Sequence, residues 1–133
     1  MTFMPIIQTI ANEYAASYLK ENPTYPIKLS ALCKSKGIRL CPYSDENVQK
    51  ICKQFDLADH MIDNDGFCLG NMIFWDDTQS IERQRSTIAH ELGHIVLRHS
   101  EGSRKYADCA HCAELQADSF ALNFLFPRER VKC

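Results

Sequence analysis

A small α+β fold is what the sequence predicts, on three observations. Apolar residues recur at helical spacings of three and four in segments at both ends of the chain. Two short β-prone runs separated by Gly70-Asn71 lie between those segments, and no linker, repeat or low-complexity stretch divides the 133 residues. That length falls in the usual range for one domain with a real core, so a single domain over residues 1–133 is expected.

The order of elements begins with helices. From Pro5 to about Lys20, Ile7, Ile10, Ala11, Tyr14 and Tyr18 form the apolar stripe of a first helix, which Asn22-Pro23 stops. Pro26 to Gly37 reads as a second helix with Gly37 at its C-terminal cap, and Ile38 to Pro42 then alternates like a short strand. Residues 44–60 carry one weakly amphipathic helix on Val48, Ile51, Cys52 and Phe55. Asn64-Asp65-Gly66 is a turn signal ahead of Phe67-Cys68-Leu69, and Gly70-Asn71 leads into Met72-Ile73-Phe74-Trp75; together these predict an antiparallel hairpin. After a polar break at residues 76–80, a helix from about Ile81 to His99 is expected, then a last helix from about Ala113 to Phe126, closed by Pro127.

Composition narrows the function. Lys and Arg total 15 against 17 Asp and Glu, a formal charge of -2, so nothing predicts direct nucleic-acid binding through a phosphate footprint. No segment is apolar for the length a membrane span needs, and residues 1–7 lack a basic region and a continuous apolar run, so a cytoplasmic protein is expected. Seven cysteines, an odd number, fit reduced thiols serving as small buried hydrophobes better than a disulfide framework.

His90-Glu91-Leu92-Gly93-His94 matches H-E-x-x-H. Residues four apart on a helix share a face, so both imidazoles reach one zinc ion at about 2.0 to 2.1 Å. Glu91 lies about 100° around the helix from His90, outside the ligand set but near enough to take a proton from water in the open fourth position. Gly93 inside a helix costs about 1 kcal/mol relative to alanine, which a chance match on an ordinary amphipathic helix would have no reason to bear.

The third ligand does not follow the metzincin pattern, because Leu97 stands where its glycine and Ser100 where its third histidine would be. On the following helix Glu114 and Asp118 are four apart. Glu114 is therefore the candidate third ligand, and Asp118 the partner that orients a ligand histidine through its other ring nitrogen. Cys109, His111 and Cys112 compete for the ligand role, although no second pair completes a structural zinc site with them. Tyr43, Tyr106 and His111 are available as oxyanion donors, and the sequence does not choose among them. The Met72 to Trp75 strand is either a docking edge for an extended substrate or a core strand with both edges covered, and the sequence does not choose between them.

Residues 85–99, followed by Glu114-Leu115-Gln116-Ala117-Asp118-Ser119-Phe120-Ala121 and Leu125-Phe126-Pro127, resemble the ImmA/IrrE family of bacterial and phage metallopeptidases. The likeness extends less specifically to Pro26 through Val48 and to Gly66 through Trp75. It implies a zincin-like minimal gluzincin fold, with the active-site helix beside a short antiparallel sheet and a following helix carrying Glu114. It also implies a Zn2+ cofactor and a narrow substrate range: a helix-turn-helix repressor of XRE type, whose cleavage derepresses prophage, mobile-element or stress genes. Ser86 stands where that family usually has phenylalanine, an exchange expected to loosen core packing. Two other classes of function compete with the peptidase. One is a metal-stabilised regulatory module that binds a repressor without cutting it; the other is an interaction domain with no metal. A structural site has no need of a base such as Glu91 beside its ligands.

Overall fold

The computed structural model describes residues 4–23, 26–98 and 110–126. Its elements run α1 (Met4–Glu21), α2 (Leu29–Ser35), β1 (Arg39–Pro42), α3 (Glu46–Gln54), α4 (Ala58–Asp63), β2 (Gly66–Leu69), β3 (Met72–Trp75), α5 (Ile81–Val96) and α6 (Ala110–Leu125). The fold is α+β, as expected.

Helix α1 buries Ile7, Ala11 and Ala15, one face at four-residue spacing, and the small alanines let it lie close against α6. There Tyr14 meets Phe120 and Phe124 edge-on at 6.1 and 6.0 Å. Helix α2 ends at Gly37, whose φ of +71 suits a residue without Cβ. The Ile38 N–H donates to the Cys33 carbonyl at 2.8 Å and the Gly37 N–H to that of Lys34 at 3.2 Å, the paired bonds of a Schellman ending.

The hairpin forms as expected: β2 pairs antiparallel with β3, Leu69 opposite Met72, around Gly70 at φ +55. The sheet as a whole is mixed, however, not antiparallel. β1 runs parallel to β3, and the strand order is β1-β3-β2. The Met72–Trp75 strand is therefore central, with both edges paired, and cannot offer the docking edge that the sequence allowed. The intervening α3 and α4 supply the crossover that a parallel β1–β3 pair requires.

Alternation along the strands separates two clusters. Leu40, Cys68, Ile73 and Trp75 pack with α1, α2, α5 and α6, while Cys41, Phe67, Met72 and Phe74 pack with α3, Phe67 stacking on Phe74 at 4.6 Å. The sheet is thus covered on both faces.

Two helix ends differ from expectation for one reason. The single helix expected over residues 44–60 is two, broken where Asp56 takes φ +60 and the Leu57 N–H donates to the Cys52 carbonyl at 2.7 Å. Likewise α5 stops at Val96, not His99, with Arg98 at φ +58. Both use a left-handed residue that is not glycine, so the usual stop signal is missing from the sequence.

Candidate metal centre

The start of α5 is held firmly. The Ser80 hydroxyl caps it by accepting from the Arg83 N–H at 3.2 Å. The Trp75 indole N–H donates to Gln84 Oε1 at 2.9 Å, and Gln84 Nε2 donates to the Gln79 carbonyl at 2.8 Å. The chain leaving β3 is thereby tied to the first turn of the helix, which sets the rotation of the His-Glu-x-x-His face.

Close approach of α6 supplies the second half of the site. A Cβ at Gly93 would sit 3.1–3.2 Å from the Phe120 side chain, which is itself fully buried, so glycine lets the two helices cross this tightly. That crossing is the physical reason for a glycine in a helix interior.

Here the Glu114 carboxylate meets both imidazoles, Oε1 at 3.2 Å from His90 Nε2 and Oε2 at 2.6 Å from His94 Nε2. The two Nε2 atoms are 3.1 Å apart. Donors at about 2.0 to 2.1 Å from a tetrahedral ion stand about 3.3 Å from one another, so these three side chains fit one small divalent cation. His90 Nδ1 lies 2.7 Å from Asp118 Oδ1. An ionised carboxylate only accepts, so this contact puts the ring proton on Nδ1 and turns the Nε2 lone pair toward Glu114 and His94.

Glu91 occupies a different environment. One of its oxygens lies within 4.8 Å of the histidine donor atoms, and the three residues form a metal-capable group among the described residues. Glu91 is nonetheless only 7% exposed, whereas Glu114 is the carboxylate that touches both imidazoles. Burial pushes the Glu91 carboxyl above its ordinary value of 4.5. The neighbouring His90 and Cys68 pull it back, and Glu114 pushes it up again. Burial, with Glu91 beside it, pushes the Cys68 thiol up to about 12, so the thiol keeps its proton.

A cleft of about 650 Å³ opens over the group. Gly66 and Asp65 from β2 and its turn, Arg83, Ser86 and Thr87 from α5, and Glu114 and Asp118 from α6 line it together with His90 and Glu91. Arg83 spans it to Asp65 at 2.6 Å. Ser86 is exposed on this wall and not in the core, so the exchange from phenylalanine alters the cleft lining and leaves core packing alone. A Cβ at Gly66 would lie 2.4 Å from Thr87 Cγ2 and 2.9 Å from the Phe74 carbonyl oxygen, so only glycine allows β2 to lie this close to α5.

All five residues singled out in the sequence, His90, Glu91, His94, Glu114 and Asp118, converge at this junction. The competing ligands do not join them. His111 is exposed and Cys112 partly buried, both in the first turn of α6 and not in a loop, while Cys109 lies outside the described residues. Of the oxyanion candidates, the Tyr43 hydroxyl donates to the Asn64 carbonyl at 2.9 Å and the ring is buried, His111 is exposed, and Tyr106 lies outside the described residues. Cys33, Cys41 and Cys52 are buried thiols, as expected. Sequence reasoning missed Cys68, Gly66 and Thr87, because strand alternation marks them only once β2 is seen to lie on α5.

A family described as Peptidase_M78, IrrE N-terminal-like domain, matches residues 33–132. The chain belongs to this family. No curated protein and no solved structure matches it. The match makes the chain an M78 metallopeptidase by family and spans β1 through α6, hence every residue of the centre. Helix α1, outside the matched segment, supports the centre from behind through Phe120 and Phe124. No described helix of this M78 member is long and apolar enough to cross a membrane.

Proposed function

We propose that the chain is a zinc-dependent endopeptidase in which His90, His94 and Glu114 hold the ion, Glu91 is the general base and Asp118 orients His90. The observation that carries this reading is the Glu114 carboxylate set against both Nε2 atoms at 2.6 and 3.2 Å, with Glu91 beside the trio but in the buried wall. When bound, zinc supplies Lewis acidity, polarising the scissile carbonyl and bringing the pKa of water toward about 7. Glu91 takes the proton of the attacking water as its oxygen bonds to the carbonyl carbon. It returns that proton to the amide nitrogen as the C–N bond breaks. Asp118 keeps the Nδ1 proton in place and so holds the ring orientation.

The substrate strand has a place to dock. The Asp76 N–H donates to the Asp65 carbonyl at 2.8 Å, and the alternation of an antiparallel ladder then turns the N–H and C=O of Gly66 and Cys68 toward the edge of β2 that no described strand pairs, beside the cleft. An extended peptide adding there is held in register by backbone bonds. The proposed substrate is a helix-turn-helix repressor of XRE type in the cytoplasm. Its cleavage would derepress prophage, mobile-element or stress genes, a role in keeping with a charge of only -2 and no basic footprint for DNA.

The test is to incubate the zinc-loaded protein and its Glu91→Gln variant with the helix-turn-helix repressor encoded nearest to it, reading products by intact mass. A cut by the parent alone is expected. Equal cutting by the variant would remove Glu91 from the role, and binding without a cut would favour the regulatory module instead.

A further inference from the structure

We propose that Cys68 is a positioning residue for Glu91: its thiol holds one carboxylate oxygen of the base, leaving the other to face the cleft. The inference rests on the reading of Glu91 as the general base.

Two independent lines of geometry place the thiol there. Side chains on β2 alternate, so Gly66 and Cys68 share the face turned to α5, while Phe67 turns to the opposite cluster and stacks on Phe74. The Cβ direction of Gly66 points straight at Thr87. Thr87 and Glu91 are one helical turn apart on a common face, about 6 Å along α5, and two strand residues rise by about the same distance, so the register that sets Gly66 over Thr87 sets Cys68 over Glu91. The electrostatics agree with that register, since Cys68 and Glu91 shift each other's pKa as close neighbours do. The Glu91 side chain is otherwise enclosed at 7% exposure, where a carboxylate with no donor would be free to turn its oxygens and to pair with either histidine. Because Cys68 stands on the edge of β2 that no described strand pairs, the same residue that would hold a substrate's backbone also holds the base. This couples peptide register to the direction of proton transfer.

The experiment compares the zinc-loaded parent with Cys68→Ala, Cys68→Ser and Glu91→Gln, using the neighbouring repressor as substrate. Loss of the donor in Cys68→Ala is expected to lower kcat about tenfold, the low end for a hydrogen bond to a charged group, with KM little changed. The acid limb of the kcat/KM profile should move to higher pH, since the donor favours the charged carboxylate. Cys68→Ser, which keeps a donor, should recover most of both. A loosened strand would lower the rate without moving the limb. A second readout needs no cleavage. The S–H stretch of Cys68, isolated as the difference between parent and Cys68→Ser infrared spectra, should shift to higher wavenumber when Glu91 is glutamine, a weaker acceptor. An unshifted band, or a Cys68→Ala variant matching the parent in rate and pH profile while Glu91→Gln is inactive, overturns the inference alone. A fully active Glu91→Gln overturns the reading of Glu91 beneath it.

Discussion

Replacing Gly66 with alanine tests how the edge strand is seated on the active-site helix. The new Cβ meets Thr87 Cγ2 at 2.4 Å and the Phe74 carbonyl oxygen at 2.9 Å, both inside van der Waals contact. The threonine methyl can move only by changing a stiff rotamer, and the carbonyl belongs to the central strand, so β2 itself must shift. Overpacking of this kind costs about 1–3 kcal/mol. Alanine recovers about 0.5–1 kcal/mol that glycine loses inside a strand. The net expectation is a loss of about 1–2 kcal/mol, or about 4–7 °C in Tm for 133 residues. Thr87→Ser removes the methyl at 2.4 Å but leaves the carbonyl at 2.9 Å. A double-mutant cycle should therefore return a favourable coupling of about 0.5–1 kcal/mol, with part of the loss remaining. The assay is thermal unfolding of the four proteins, with cleavage measured alongside, because a displaced β2 also carries Cys68 and the docking edge away from Glu91. A neutral Gly66→Ala, or a coupling of zero, would refute the close approach.

Other consequences follow from the same geometry. Removing the partner of His90 in Asp118→Ala should weaken zinc binding by about 10-fold, the lower end of the range for such partners because Asp118 is 70% exposed, as read by competition with a chromogenic chelator. Zinc at about a thousand times its Kd should add about 4 kcal/mol of stability over chelator-treated protein, and Glu114→Ala should lose most of that gain in the same melts. In the metal-free protein the raised pKa of Glu91 means that the folded state binds the proton more tightly than the unfolded one. Stability is therefore lost as pH rises from the ordinary value of 4.5 through the raised one. Glu91→Gln should accordingly melt higher than the parent at neutral pH, and the two melting temperatures should converge in acid. A constant difference across that window would show that Glu91 is not desolvated.

A carboxylate that burial destabilises at neutral pH is the kind the proposed function calls for beside the histidines. Asp118, His90 and Glu114 are joined in a line along the cleft, with Glu91 buried beside them. The centre is thus built from three elements that meet only in the folded chain. Helix α5 contributes the histidines and Glu91, α6 the bridging carboxylate and β2 the Cys68 thiol beside Glu91.

What the sequence determined by itself was local. Helical spacing placed His90 and His94 on one face and Glu114 and Asp118 on another, because four residues make about one turn wherever the helix lies. Gly37 and Gly70 announced their turns because a φ of +71 or +55 suits a residue without Cβ. Asp56 and Arg98 adopt the same backbone without announcing it, so one helix was read as continuous and another as too long. Only the tertiary structure decided which strand is central, since a four-residue hairpin looks the same whether β1 joins β3 or leaves its edge open. Only it showed why Gly93 and Gly66 are glycines, one for the ring of Phe120 and one for the methyl of Thr87. Pairing across a sheet and packing across a helix crossing join residues far apart in the chain, and no local pattern records which partner each will meet.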